Sequence, residues 1–393
     1  MSDHDSKLAP WPFYDEDEIQ AVAAVLKSGR VNYRTGDEGT AFEAEYAAAT
    51  KAQHALTVAN GTAALELALS ALNIGPGDEV VVPARTFVAT AAAVVRCGAT
   101  PVVADIDPIS QNLDQETLAA VLTERTRAVI PVHLAGWPAD MDAILSVARA
   151  SGLAVIEDCA QAHGALYKGK AVGTLGDIGC FSFCQDKIIS TGGEGGMALT
   201  NNTALYERMW SLRDHGWNYK RANTPDDSTG FKWLVDTFST NWRLTESQSA
   251  IGRLQLRKLD GWVTARRRNA AALTSALSGL AGIVDLTPPD TVQHSYYKYN
   301  ILIDPSALSG SWTRDLIADE LNLHGVPARI GACPDIAGEK AFANASINTS
   351  NPRPNAASIA DRTLMLPVHP TLPDGNIAFM ADTLRTTISA AAR

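Results

Sequence analysis

Several features that mark common protein classes are missing from this 393-residue sequence. It has no run of eighteen apolar residues, which excludes an ordinary membrane-spanning helix. Its N-terminus, MSDHDSKLAPWPFYDEDE, lacks the basic start and apolar core of a signal peptide. Acidic residues outnumber basic ones by 43 to 33 without any basic cluster, which argues against nucleic acid as the main partner. We therefore expect a cytoplasmic protein that binds neither nucleic acid nor membrane.

Two further absences concern cysteine and phosphate-binding motifs. The cysteines are five in number, scattered and without a CxxC pair, which favours reduced thiols over disulfides or a zinc site, and we expect no metal. They are Cys97, Cys159, Cys180, Cys184 and Cys333. Neither GxxxxGK[ST] nor GxGxxG occurs, so the two commonest glycine-rich phosphate loops are excluded.

What is present is an alternation of helical and strand-like patterns between residues 39 and 200. The strand-like runs are apolar on both faces, which is typical of a mostly parallel sheet covered by helices on both sides. Helices are predicted over 39–51, 62–73, 86–97, 114–123 and 140–151. Strands are predicted over 79–84, 101–107, 127–136, 153–160, 180–183 and 196–200.

The pattern changes from Leu244 onward. Residues 245–279 predict a long, partly broken helix with its bend at Gly261, followed by a smaller α+β domain whose last helix is near 376–391. The stretch 218–238 has little periodicity and is predicted to be a functional loop. We divide the chain into an N-terminal segment, 1–35, that packs on the small domain, a large ligand-binding domain, 36–260, and the small domain, 261–393.

In open parallel sheets, ligands bind beyond the carboxyl ends of the strands. After LTVAN, Gly61 and Thr62 open an apolar helix, which offers a phosphate backbone N–H groups, a hydroxyl and the positive end of a helix dipole. The alternative is that Thr62 only caps the helix. After EVVVPA, Phe87 is either a core side chain or a platform on which a flat heterocycle stacks.

Two later strand exits carry charged side chains. Asp158 follows LAVIE, and its carboxylate needs a partner, which can be solvent, a helix N-terminus or a cationic ring nitrogen. Gln161 and His163 follow in the same motif. Lys187 lies five residues after Ser182, and the glycines follow the lysine rather than precede it. An acid, a stacking aromatic, a phosphate-binding helix start and a lysine are the set that pyridoxal phosphate requires, with the lysine amine as a covalent Schiff-base anchor.

At this point the sequence resembles the sugar aminotransferases of the DegT/DnrJ/EryC1/StrS group, within the fold type I pyridoxal-phosphate enzymes. Five blocks carry the resemblance in order across roughly residues 10–390. They are NGTAAL (60–65), PARTFVATAAAVVRCGATPVVADID (83–107), EDCAQAHGA (157–165), FSFCQDKIISTGGEGGM (181–197) and TNWRLTESQSAIGRLQL (240–256).

The resemblance implies a role for each matching position. Lys187 is similar to the Schiff-base lysine, Asp158 to the partner of the pyridinium nitrogen and Gln161 to a contact of the ring hydroxyl. Phe87 matches the stacking position, and the phosphate-binding positions are matched by Gly61, Thr62 and Ser182. Asn241 matches an asparagine that reaches the cofactor of the neighbouring subunit, which implies a homodimer with shared sites. His163 is expected only to support these groups.

The implied reaction moves an amino group from glutamate or glutamine to a ketone of a nucleotide-linked sugar. Lys220, Arg221 and Lys232 are candidates for binding the nucleotide diphosphate, with solvated loop charge as the alternative. The segment 324–342 departs from the family pattern at Arg329, Cys333 and Pro334, which leaves the acceptor open. The retained lysine argues against the dehydratase branch of the family.

Other functions stay open at this stage. One is an aminotransferase for a keto-cyclitol, and another is a regulatory protein that binds pyridoxal phosphate without turnover. The remaining alternative is a doubly wound α/β protein that binds a different phosphorylated ligand and in which Lys187 is incidental.

Overall fold

The computed structural model describes residues 8–225, 233–331 and 333–392. Its helices are α1 (Glu16–Ser28), α2 (Glu38–Thr50), α3 (Gly61–Ala71), α4 (Ala89–Arg96), α5 (Gln115–Ala119), α6 (Met141–Ala150), α7 (Thr203–Arg213), α8 (Tyr219–Asn223), α9 (Glu246–Leu277), α10 (Arg314–Leu323), α11 (Lys340–Asn344), α12 (Pro354–Ile359) and α13 (Asp374–Ala391). Its strands are β1 (His54–Val58), β2 (Glu79–Pro83), β3 (Thr100–Ala104), β4 (Thr126–Val129), β5 (Ala154–Asp158), β6 (Leu166–Tyr167), β7 (Lys170–Ala171), β8 (Ile178–Ser182), β9 (Gly196–Thr200), β10 (Ile283–Val284), β11 (Val292–Gln293), β12 (Tyr299–Ile303) and β13 (Thr363–Leu366).

A seven-stranded sheet forms the centre of the larger part, in the order β1-β9-β8-β5-β4-β2-β3. The five strands from β8 to β3 run parallel, whereas β1 and β9 pair antiparallel at one edge. The mostly parallel sheet predicted from the sequence is confirmed. Each parallel strand directs its carboxyl end to the same edge, where the polar exits of the sequence meet.

Helices cover both faces of this sheet, which explains the strands' continuous apolar runs. On β2, Val80 and Val82 pack in one core with α3 and α4, and Val81 between them packs in another with α5 and α6. Because successive side chains of a strand point to opposite faces, a strand covered on both sides must be apolar at every position.

The smaller part is built on a three-stranded antiparallel sheet, β10-β12-β13. Its core combines β12 and β13 with α10, α13 and the last turns of α9. The predicted α+β character is confirmed. The division into domains at residue 260 remains a prediction, because α9 runs through that position and contributes Leu259 to one core and Leu273 to the other.

The long helix predicted in this region is confirmed. The predicted break at Gly261 is wrong, because α9 is a continuous helix of 32 residues. A single glycine inside a helix costs about 1 kcal/mol relative to alanine. Buried side chains on both sides of Gly261, including Leu259 and Val263, offset that cost by packing in a hydrophobic core of the larger part of the chain.

Two other predicted segments differ from the structure. The helix predicted from residue 86 begins at Ala89, because residues 85–88 form the exit from β2. Within the predicted loop 218–238, Tyr219–Asn223 forms a short helix that Asn218 caps by accepting a hydrogen bond from the Arg221 backbone N–H. Lys232 lies outside the described residues.

Residues 8–28 pack against both parts of the chain. Leu8 joins the core of the smaller part, and α1 lies along α9. Lys258 on α9 forms ion pairs with Asp15 and Asp17, each at 2.9 Å. All five cysteines are free thiols. No helix among the described residues is both long and apolar enough to cross a bilayer.

Candidate active site

One end of the candidate site is the start of α3. The side chain of Asn60, rather than Thr62, caps this helix by accepting a hydrogen bond from the Ala63 backbone N–H at 2.9 Å. Gly61 lies against Ser182 at the end of β8, so closely that a Cβ at Gly61 would lie 2.7 Å from the Ser182 Cβ. The close approach brings first-turn N–H groups together with the hydroxyls of Thr62 and Ser182, a donor set that suits a phosphate.

Asp158 ends β5 and is a buried carboxylate held by two donors. Its Oδ2 accepts from the Thr90 hydroxyl at 2.8 Å, and its Oδ1 accepts from the Ala160 backbone N–H at 3.1 Å. Thr86 in turn shares a hydrogen bond of 2.8 Å with Thr90. Burial raises the pKa of Asp158, and the two donors and the Lys187 cation oppose that rise. A buried carboxylate in this position is suited to a cationic partner.

Gln161 and Phe87 line the space in front of Asp158. The Gln161 Oε1 accepts from the Ala135 backbone N–H at 2.7 Å, which turns its NH₂ group away as a donor. Phe87 is 67% exposed, so it is not a core side chain. An exposed aromatic ring beside a buried acid can stack on a planar ligand.

Lys187 lies in the turn after β8. Its backbone N–H donates to the Cys184 carbonyl at 3.0 Å, and its own carbonyl accepts from the Trp11 indole at 3.0 Å. The Nζ of Lys187 is 4.7 Å from the centre of the Tyr297 ring and forms no ion pair with a carboxylate of the described residues. The backbone of this lysine is held from both sides while its amine faces the pocket.

Three groups near Lys187 were not predicted from the sequence. The Tyr297 hydroxyl donates to the Asp186 carboxylate, and Lys298 Nζ lies 3.9 Å from the same carboxylate. Burial, together with the cations Arg266 and Lys187, lowers the pKa of Lys298 to about 8 although Asp186 opposes the shift. Tyr297 and Lys298 lie 110 and 111 residues beyond Lys187 in the chain, so no local spacing could have indicated them.

His163 is a packed residue behind the site. It is fully buried, shares a hydrogen bond of 3.0 Å with the Tyr46 hydroxyl through Nδ1 and contacts the Ser182 carbonyl at 2.8 Å through Nε2. Burial lowers its pKa to about 3, so it is neutral at physiological pH. With Nε2 assigned as the protonated nitrogen, His163 supports the strand end that carries Ser182.

The candidate site is one cavity of about 690 Å³, which His163 and Lys298 do not line. The structure brings together seven of the eight predicted residues on its wall: Gly61, Thr62, Phe87, Asp158, Gln161, Ser182 and Lys187. Asn241 does not line it; its side chain accepts from the Arg243 backbone N–H at 3.2 Å. Lys220, Arg221 and Arg329 do not line it either, whereas Cys333 does.

The cavity fits pyridoxal phosphate by its donor set. The helix start and two hydroxyls match the phosphate, the Asp158 carboxylate matches a protonated ring nitrogen, and the Lys187 amine matches the aldehyde. A phosphate-binding protein in which the lysine is incidental would need neither the buried acid nor the donor amide of Gln161.

Comparison with known proteins agrees with this geometry. Residues 12–385 match the model of the DegT/DnrJ/EryC1/StrS aminotransferase family. The chain is 38% identical to a UDP-N-acetyl-3-dehydro-alpha-D-glucosamine 3-aminotransferase of Acidithiobacillus ferrooxidans, over 90% of this chain and 89% of that protein. It is also 38% identical to a dTDP-3-amino-3,4,6-trideoxy-alpha-D-glucose transaminase of Streptomyces venezuelae, over 90% and 87% of the two chains.

A solved structure matches over nearly the whole chain. The X-ray structure of an aminotransferase from Psychrobacter cryohalolentis superposes with a TM-score of 0.94 at 43% identity. The match covers 96% of this chain and 98% of that one.

Proposed function

The chain belongs to the DegT/DnrJ/EryC1/StrS aminotransferase family, and from this premise we propose that it uses pyridoxal phosphate to aminate a keto group of a nucleotide-linked sugar. The family is of the pyridoxal-phosphate-dependent type, and the chain is an aminotransferase. One observation supports the cofactor above all. The Lys187 amine and the buried Asp158 carboxylate line the same cavity as the start of α3.

Each of the predicted residues that line the cavity has a task in this proposal. Gly61, Thr62 and Ser182 hold the phosphate, Phe87 stacks on the ring and Gln161 donates to the ring hydroxyl. Asp158 accepts a hydrogen bond from the protonated ring nitrogen, and Thr90 holds the carboxylate in place. When bound, the cofactor withdraws electrons from the carbon that carries the amino group.

Lys187 has a second task once its amine is free. Its Nζ is suited to remove the proton from the carbon that bears the donor's amino group and to return a proton to the carbonyl carbon of the acceptor. Tyr297 lies against this amine, and its hydroxyl is held by Asp186, so the ring limits the positions that Nζ can take. We propose Tyr297 as a positioning residue.

The acceptor is inferred from the relatives. Their names specify a UDP-linked and a dTDP-linked sugar, so we propose a nucleotide-linked keto-sugar here. For the donor we propose glutamate or glutamine, as the family resemblance implies. Lys220 and Arg221 are exposed on α8 and remain candidates for the diphosphate.

A homodimer would complete the site. We propose that Asn241 reaches the cofactor of a second copy, and that the enzyme works in the cytoplasm. Phe238, three residues before Asn241, is fully exposed, and Val235 is 55% exposed. Large apolar side chains at such positions are typical of a surface that another chain covers.

The first experiment is the visible absorption spectrum of the purified protein before and after L-glutamate is added. Wild type should show the colour of a lysine-linked cofactor, which L-glutamate bleaches, and Lys187→Ala should lack that colour before glutamate is added. Lys170→Ala, an exposed lysine on β7, is the matched control and should behave as wild type. A wild type that stays colourless when pyridoxal phosphate is supplied would refute the proposal.

A second experiment separates the acceptors. Turnover is measured with a nucleotide-linked keto-sugar and with a keto-inositol under the same conditions. Faster turnover of the keto-sugar supports the proposal, whereas exclusive use of the keto-inositol identifies a cyclitol aminotransferase. Bleaching by glutamate with neither acceptor turned over leaves the cofactor assignment standing and contradicts the acceptor class.

A further inference from the structure

A buried turn after β4 lies between the candidate active site and a second cavity. The turn covers residues 133–137, all of which are buried. Two of them, Leu134 and Trp137, line the second cavity, which has a volume of about 790 Å³. None of the five lines the candidate active-site cavity, so the turn can act on that site only through residues that it contacts.

Ala135 in this turn joins two residues of the candidate site. Its backbone N–H donates to the Gln161 Oε1 at 2.7 Å, and its carbonyl accepts from the Tyr297 backbone N–H at 2.9 Å. The backbone of Ala135 is left-handed, with φ of 54°, a conformation that is costly for alanine and persists only where the surroundings impose it. The contacts that impose this conformation therefore decide where the Ala135 N–H points.

The Gln161 side chain is held at its oxygen and free at its nitrogen. Ala135 engages the amide oxygen, whereas the NH₂ group has no partner within the part of the chain that the structure describes. Gln161 also lines the candidate active-site cavity. Because the amide oxygen is occupied, the group that Gln161 offers to a ligand is an N–H donor.

Asn112, in the segment that follows β3, holds the turn on both sides of Ala135. Its side-chain oxygen accepts from the Leu134 backbone N–H at 3.0 Å, and its NH₂ group donates to the Trp137 carbonyl at 2.9 Å. Asn112 is 2% exposed, so water hardly competes for these two bonds. The two bonds bracket Ala135 and fix the direction of its N–H.

His133 ties the turn to the strand that carries Asp158. Its Nδ1 accepts from the Ala139 backbone N–H at 3.0 Å, so the ring proton is assigned to Nε2, which lies 3.0 Å from the Glu157 Oε2. The backbone N–H of His133 donates to the Asp158 carbonyl at 3.1 Å. Since Glu157 directly precedes Asp158 on β5, the imidazole fixes the start of the turn against the same strand.

From these contacts we propose that Asn112 and His133 are positioning residues that act through Ala135 to orient the Gln161 amide. The inference rests on the proposed function, in which Gln161 donates to the ring hydroxyl of pyridoxal phosphate. That hydroxyl is acidic, and a fixed N–H donor stabilises its ionised form. An amide that could rotate would also present its oxygen, which an ionised hydroxyl repels.

The test is a double-mutant cycle on cofactor affinity. The apoprotein is titrated with pyridoxal phosphate, and the dissociation constant is determined from the visible absorption. Asn112→Leu keeps the branched shape and removes both bonds to the turn, and Gln161→Met removes the amide itself. We expect each single variant to raise the dissociation constant at least about tenfold, the equivalent of one lost hydrogen bond to a charged group. The double variant should bind as Gln161→Met does, because the turn then has no amide to orient.

Thr126→Val is the matched control. Thr126 begins β4, at the edge of the sheet opposite the cavity, is 4% exposed and accepts from the Thr123 backbone N–H at 2.9 Å. The substitution should lower the stability of the apoprotein to urea and leave cofactor affinity unchanged. If Asn112→Leu does not fold, His133→Asn takes its place in the cycle, since it can still accept from Ala139 but loses the donor to Glu157.

Several results would overturn the proposal. The positioning variant could bind the cofactor as wild type does, its loss could add in full to that of Gln161→Met, or Thr126→Val could weaken binding as much. If neither positioning variant folds, both residues serve stability alone and the proposal is likewise overturned. A wild type that does not bind pyridoxal phosphate would refute the proposed function instead, so the two failures are distinguishable.

Discussion

The two cavities differ in chemistry far more than in size. The cavity of the candidate active site, at about 690 Å³, contains a lysine, a buried aspartate and a helix start. The second cavity, at about 790 Å³, lies between the turn after β3, the end of α9 and the start of β12, and its walls carry four aromatic rings and, among the described residues, one carboxylate. Volume alone would favour the second cavity over the candidate active site. Charged groups that converge from separate strand ends, rather than the space available, identify a catalytic pocket.

The largest effect that distinguishes the cavities is expected from Asp158→Asn. Asparagine keeps the shape of the side chain but cannot hold the ring nitrogen in its protonated form. We expect turnover to fall by about 10²–10⁴, the range that a positioned charged group contributes. Steady-state kinetics measures the loss. Turnover within a few-fold of wild type would remove Asp158 from the mechanism.

A smaller effect on the same cavity is expected from Gly61→Ala. The new methyl group would lie 2.7 Å from the Ser182 Cβ, so the start of α3 must move away from the phosphate position. Overpacking of this kind costs about 1–3 kcal/mol, and we expect the cofactor dissociation constant to rise about tenfold or more. Titration of the apoprotein with pyridoxal phosphate measures it.

Gly75→Ala is the matched control for that variant. The nearest atom to a Cβ at Gly75 is 3.8 Å away, which is ordinary contact, so cofactor affinity should not change. Equal affinities of Gly61→Ala and wild type would show that the close approach of α3 to Ser182 does not shape the phosphate site.

The two cavities are expected to respond alike to acid. His163 behind the first and His294 in the second both have pKa values lowered to about 3 by burial. Below a pH of about 6.5 the unfolded chain binds a proton that the folded chain does not, so stability falls as the pH drops from about 6.5 to 3. Replacing either residue by glutamine should reduce the slope of unfolding free energy against pH by up to about 1.4 kcal/mol per pH unit.

Urea unfolding at several pH values measures that slope. If His163→Gln flattens the slope and His294→Gln does not, the second cavity is open to protons and the similarity between the two is lost.

The smallest effect is expected from Thr274→Val in the second cavity. The substitution keeps the shape of the side chain and removes the hydrogen bond to the Tyr299 hydroxyl. We expect the free energy of unfolding to fall by about 1 kcal/mol, measured by urea denaturation, with turnover unchanged. A turnover loss of tenfold would show that the second cavity is coupled to catalysis.

The grouping of the candidate site residues around one cavity could be predicted because they follow strands that end at one edge of a sheet. Phe87, Asp158 and Lys187 belong to different exits, yet parallel pairing places them around one pocket. Local details were harder to predict from the sequence. The cap of α3 is Asn60 rather than Thr62, and Gly261 does not break α9, because packing decides whether a weak local preference prevails.

The sequence by itself determined the order of strands and helices, the lysine, acid and aromatic at their exits, and the family, since these depend on local pattern and on motifs read in order. Only the tertiary structure decided that Tyr297 meets Lys187 and that Gly61 touches Ser182. Such contacts join residues far apart in the chain. They depend on how two cores pack against each other, and no local spacing in the sequence encodes that arrangement.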